Sequence, residues 1–163
     1  MSALKNFLKA ELKMMRKVRC AKAINGWYTT GQFVLKNGKQ WQNGHALPKD
    51  VEPMKEKQCF MNAAKMATES ERFIYCEGYA LSIIPVMHAW CLDKDGNVID
   101  PTWASLPFEK GREYFGIAIK TSYVIHYFLE TERCGSLIDA WQTDWKMLHD
   151  DPKLWRHPIM DKL

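Results

Sequence analysis

Met87-His88-Ala89-Trp90-Cys91-Leu92-Asp93-Lys94-Asp95-Gly96-Asn97-Val98-Ile99-Asp100-Pro101-Thr102 is the stretch on which the fold turns. Two apolar runs flank a cluster of turn-forming residues, which reads as a β-hairpin. The loop can close in two ways. A two-residue loop, Asp95-Gly96, sets Asp100 opposite Cys91 and turns His88 to the other face. A three-residue loop, Lys94-Asp95-Gly96, sets Asp100 opposite Trp90. His88 is then the diagonal neighbour of Asp100 on the same face, with Cα atoms about 7–8 Å apart. That loop needs a left-handed residue at its end, which Gly96 supplies, so the spacing predicts the second register.

Outward from this hairpin the pattern stays β-like. Phe73–Cys76, Tyr79–Ile84, Val86–Asp93 and Asn97–Asp100 read as antiparallel strands, and Phe115–Ile119 as one more. Gly78 suggests a bulge between the first two, with Glu77 a candidate neighbour of the site. Before them, Cys59–Thr68 reads as a helix with Cys59, Ala63, Met66 and Ala67 on one side. Residues 42–57 are polar with Gly44, Pro48 and Pro53, and read as a loop. Gln32–Leu35 and Gln40-Trp41, around Asn37-Gly38, suggest a second hairpin.

The ends read as helices. Leu4, Phe7, Leu8, Leu12, Met15 and Val18 recur at three- and four-residue steps, giving an amphipathic helix over about 2–24 that ends at Asn25-Gly26. Residues 121–132 form another, with Thr121 or Ser122 as cap. A last helix is expected from Ser136, turning Leu137, Ile138, Trp141, Trp145 and Leu148 inward, before an irregular tail marked by Pro152 and Pro158. The expectation is one α+β domain over residues 1–163. It comprises a basic helix at 1–24, a core at 57–119 and C-terminal helices at 120–150.

Composition narrows the function. Twenty aromatic residues (7 Trp, 6 Tyr, 7 Phe) and 47% hydrophobic residues argue against a disordered chain. No apolar run reaches the ~20 residues that span a bilayer, so no membrane association is expected. Met1–Lys22 has no apolar segment of the secretory kind. Five cysteines without regular spacing (Cys20, Cys59, Cys76, Cys91, Cys134) argue for free thiols in a reducing, cytoplasmic setting. Net charge is +4, but residues 1–25 alone carry +6, leaving −2 for the rest. A nucleic-acid role would therefore rest on the first helix alone, and the remaining chain argues against it.

Three residues carry chemistry together. Cys59 opens a helix, where unpaired N–H groups and the dipole favour thiolate and can hold an oxyanion. His88 can move the thiol proton, and Asp100 can orient the ring. Cys20, Cys76, Cys91 and Cys134 read as buried thiols that act as small hydrophobes, and His45, His126, His149 and His157 have no companion pattern. Trp90 reads as core or as a wall beside the imidazole. His88 and Cys91 are three apart in a strand, so they point to opposite faces and cannot share a metal. No metal is expected, and with no glycine-rich phosphate loop no cofactor is expected either.

Cys in Gln58-Cys59-Phe60-Met61-Asn62-Ala63, His in His88-Ala89-Trp90 and Asp in Asp100-Pro101-Thr102 resemble the transglutaminase-like branch of the papain-like cysteine enzymes. The resemblance covers about residues 57–103, with spacings of 29 and 12 residues, the first short for the family. It implies a catalytic helix packed on an antiparallel sheet, with the flanking helices as additions. It also implies a Cys59–His88–Asp100 triad acting on an amide or isopeptide of a protein or peptide-like substrate through a thioester, with water or an amine as acceptor. Papain-type enzymes place a glutamine in the oxyanion hole; Gln58 is adjacent and Gln42 distant, and neither is assigned that role. Specificity would lie in residues 42–57 and 103–115. The competing reading is a non-enzymatic interaction protein, such as a phage- or mobile-element-borne effector, that binds a host or partner protein through the basic helix or the Trp-rich C-terminus.

Overall fold

Leu4 and Leu8 anchor the first helix, and both are fully buried. The computed structural model describes residues 2–18, 26–41, 47–104 and 113–162. Helix α1 spans Ala3–Val18, with Lys9, Lys13, Arg16 and Lys17 on its exposed side. Its N-terminal donors are met by Glu113, whose carboxylate accepts from Ser2 Oγ (2.6 Å), Ala3 N (3.1 Å) and Leu4 N (3.2 Å). The rest of the expected helix, with Cys20, and its stop at Asn25 lie outside the described residues, as do Gln42, Gly44 and His45.

The second hairpin expected at Asn37-Gly38 does not exist. Residues Thr30–Asn37 form helix α2, followed by strand β1, Lys39–Trp41. Thr29 caps the helix by accepting from Gln32 N at 3.0 Å. Gly38 closes it by donating to the Val34 carbonyl, and its φ of −91° is not the left-handed turn that a tight hairpin demands. Phe33 and Val34 are adjacent and both buried, which suits a helix between α1 and the sheet rather than a one-faced strand.

Helix α3 spans Cys59–Glu69, close to the expected range. Strands β2 (Ile74–Leu81), β3 (Pro85–Leu92), β4 (Val98–Ile99) and β5 (Glu113–Ala118) join β1 in one antiparallel sheet, in the order β1-β5-β2-β3-β4. The two strands expected at 73–76 and 79–84 are therefore one. Its register with β3 runs unbroken from Ile74–Leu92 to Leu81–Pro85, so Gly78 makes no bulge. Its smallness has another cause: a Cβ there would run into the backbone of Phe115 and Gly116 on β5. Ile83 and Ile84 fall in the turn and are exposed rather than paired.

One face of the sheet, with Tyr75, Ala89, Cys91 and Ile117, packs on α3 and the other helices. The opposite face carries Cys76, Ala80, Trp90, Leu92, Val98 and Tyr114. Helix α4 (Thr121–Thr131) begins where expected, but neither Thr121 nor Ser122 caps it; Lys120 holds that position and makes no side-chain cap.

The long helix expected from Ser136 is replaced by irregular chain, a 3-10 turn at Trp141–Thr143 and the single turn α5 (Lys146–His149). Glu77, a carboxylate with no exposure, ties down the start of this segment. It accepts from the N–H groups of Leu137 (3.0 Å) and Ile138 (3.1 Å) and from the Ser136 hydroxyl. The run from Ser136 is then interrupted by Asp144 and Trp145, both in left-handed conformations that a continuous helix excludes. Leu137 and Ile138 are buried as expected, whereas Trp141 is 65% exposed. The tail is not irregular throughout: α6 (Pro152–Trp155), capped by Asp151, and α7 (Ile159–Lys162) are single turns.

Candidate active site

The β3–β4 loop sets the geometry. Asp93 N donates to the Asn97 carbonyl at 3.0 Å, and Gly96 has φ +85°. Lys94, Asp95 and Gly96 thus form a three-residue loop, fixed by the Asp93 carboxylate, which accepts from Asp95 N and Asn97 N. The pairs Leu92–Val98 and Cys91–Ile99 follow. One step further along the same register Asp100 faces Trp90, with His88 diagonal to it.

His88 and Asp100 are 2% and 7% exposed, and His88 Nε2 lies 2.8 Å from Asp100 Oδ2. The same oxygen accepts from the Tyr114 hydroxyl at 2.9 Å. Oδ1 accepts from the backbone N–H of Thr102 (3.0 Å) and Trp103 (3.1 Å). Burial pushes the carboxyl up, but the hydrogen bond and charge of His88, then Tyr114 and Trp103, outweigh it and hold Asp100 below the usual carboxylate range. Burial likewise disfavours a charged imidazole. Hydrogen bonds to Asp100 and Cys59, reinforced by their charges, outweigh that and bring His88 up to about 9.

Aromatic rings enclose the pair. Trp103 stacks on the imidazole with centroids 4.2 Å apart, and Trp90 lies 6.3 Å away at 18° to its plane. Trp90 is fully buried, so it is core and wall at once. Room for these rings comes from β2, where Cys76, Gly78 and Ala80 share the site face. Gly116 contributes as well, because a Cβ there would strike the Trp90 ring.

Cys59 is the first residue of α3. The chain enters through Lys57, which has a left-handed φ of +61°, a strained position for a side-chain-bearing residue. The first helical bond runs from Asn62 N to Gln58 O at 2.8 Å, so the N–H groups of Cys59, Phe60 and Met61 have no helical carbonyl to bond. The Asn62 side chain donates to Lys55 O (2.7 Å) and Thr102 Oγ1 (2.9 Å), tying the helix start to the segment after Asp100. Cys59 is half-buried and shares with His88 a cavity of about 220 Å³ lined also by Glu56, Lys57, Thr102 and Trp103.

The other described thiols differ. Cys76 and Cys91 are buried, and burial pushes both thiols up; Cys91 donates to the Ala63 carbonyl on α3. Cys134, expected to be buried, is instead exposed on the chain that follows α4, and partial desolvation raises it too. Glu77 pairs with Ala89, so it points away from the face that holds His88. Gln58 makes no cap hydrogen bond through its side chain.

Nothing in the sequence alone singles out Tyr114, Trp103, Thr102 and Asn62. Thr102 and Asn62 sat inside the quoted motifs, whereas Tyr114 lies on a strand two places removed from β3, with no local signal of its reach.

No protein family, no curated protein and no solved structure matches the chain.

Proposed function

We propose that the chain is a cysteine-dependent acyl-transfer enzyme, a hydrolase or transferase acting on an amide or isopeptide bond of a protein or peptide-like substrate. The observation that carries this reading is the single cavity that Cys59, at the N-terminus of α3, shares with an imidazole whose Nε2 is held by Asp100 at 2.8 Å. A helix end that opens on a thiol, followed by two strands that bring His and Asp together, also suits the papain-like core suggested by the motifs.

With Nε2 engaged by Asp100, Nδ1 is the ring atom that serves the thiol. It takes the Cys59 proton, and Sγ attacks the carbonyl carbon. The oxyanion is met by the N–H of Cys59 at the helix end. As the C–N bond breaks, Nδ1–H passes its proton to the leaving nitrogen and a thioester remains on Cys59. Water or an amine then attacks the thioester, giving a proton to Nδ1. The C–S bond breaks, and the proton returns to sulfur. Asp100 stays ionised throughout and keeps the ring oriented.

The test is chemical. At neutral pH, iodoacetamide should label Cys59 well ahead of Cys134, and a peptide carrying an electrophilic acyl group should leave a thioester or thioether on Cys59 alone. Cys59→Ala should abolish both while the fold, read by circular dichroism, persists. Labelling of Cys59 no faster than Cys134 would dismiss the reading.

A further inference from the structure

We propose that Tyr114 is a positioning residue for the His88–Asp100 pair, setting the pair's basicity by sharing the carboxylate oxygen that the imidazole uses. The inference rests on the reading of Cys59 and His88 given above and adds to it a residue outside the three-residue motif.

Tyr114 comes from β5, and β2 lies between it and β3. It is paired with Ala80, which is paired on its other side with Val86. Ala80 and Gly78 are too small to obstruct the ring, so Tyr114 reaches across β2 towards Asp100. There it packs edge-on to Trp90 (5.1 Å) and lies 6.1 Å from Trp103, which fixes the ring and leaves the hydroxyl aimed at Oδ2. At 1% exposure it is shielded from solvent.

Two donors on one carboxylate oxygen compete. When the imidazole is charged, it draws on Oδ2 and weakens the tyrosine bond. When the imidazole is neutral, the tyrosine bond is at full strength. The hydroxyl therefore favours neutral His88 relative to a site without it, and keeps the ring's proton affinity within the range where it can still give a proton away. The hydroxyl also stops the carboxylate from turning, because Oδ1 is already held by two backbone N–H groups.

Tyr114→Phe, in the full chain, tests this with three readouts. NMR titration of the His88 ring should move to higher pH by about half a pH unit. Cys59 alkylation at pH 7 should quicken by ~2–3-fold, because a more basic imidazole takes the thiol proton more readily. In an Asp100→Asn background the same substitution should change neither, because the tyrosine acts only through the carboxylate. A His88 titration unmoved by Tyr114→Phe, or a shift that persists in Asp100→Asn, overturns the proposal. If the parent Cys59 alkylates no faster than Cys134, the enzyme reading falls, whereas the His88 titration still decides the role of Tyr114.

Discussion

Asp100 Oδ2 stands 2.8 Å from His88 Nε2, although twelve residues and a chain reversal separate the two. A single loop residue decides this. With Gly96 at φ +85° the hairpin closes over three residues, and each side chain beyond it keeps its face. A β-branched residue at that φ is strained, so Gly96→Val should cost ~1–2 kcal/mol in urea denaturation and slow Cys59 alkylation. An unchanged midpoint together with unchanged reactivity would show that the turn does not govern the register.

Asp100→Asn keeps the shape and removes the charge. Of the two groups that raise His88 against its burial, the larger is then lost, and the ring should titrate well below about 9. Cys59 alkylation at pH 7 should fall by ~10-fold or more without vanishing, because asparagine can still touch the ring. A His88 titration indifferent to this change would mean that the short contact carries no electrostatic weight.

The pair also links stability to pH. His88 is raised from its ordinary 6.5 to about 9, so its contribution is full below 6.5 and is lost as pH rises through 9. Asp100 is lowered, so its contribution is present above the usual carboxylate range and is lost as pH falls through its folded value. Melting temperatures recorded from pH 6 to 10 should decline between about pH 6.5 and 9 in the parent and be flatter there in Asp100→Asn. Equal slopes for the two proteins would refute the linkage.

Local chemistry made parts of this site legible in the sequence. The loop type follows from one glycine, and the helix that begins at Cys59 follows from its apolar spacing. Elsewhere the structure departs from what local composition suggests. Asn37-Gly38 has the composition of a hairpin turn, yet Thr29 caps and Gly38 closes a helix whose buried Phe33 and Val34 suit the space under α1. Ser136 has the look of a helix start and its hydroxyl accepts from Asp139 N as a cap would, yet the chain is interrupted at the left-handed Asp144 and Trp145. Tyr114 has no local signal at all, because its role depends on the width of β2 and on small residues there.

Asn62 links the two halves of the site. Its amide nitrogen donates to Thr102 Oγ1 on the segment after Asp100 and to Lys55 O ahead of α3. Asn62→Ala should destabilise by ~1–3 kcal/mol, since it strands buried partners. It should also slow Cys59 alkylation more than Thr68→Ala, a substitution on the same helix away from the cavity. Comparable reactivity in the two variants would remove Asn62 from the positioning of the thiol.

Glu77 is the strongest case of a buried charge placed for architecture. Tyr75, Ser136, Leu137 and Ile138 all donate to it, and Tyr75 does so at 2.8 Å. Burial raises its pKa above the ordinary carboxylate range, and the four donors pull against that rise. Glu77→Ala would leave two buried N–H groups and two hydroxyls unsatisfied, so a loss of ~3–5 kcal/mol is expected in denaturant. Glu77→Gln keeps the volume but turns an amide N–H₂ towards donors, and should fall between the alanine variant and the parent. Hydrogen exchange should localise the damage, with the amides of Leu137 and Ile138 losing protection before those of β3. Protection of these two amides at the parent level in Glu77→Ala would show that something other than the carboxylate holds the segment against the sheet.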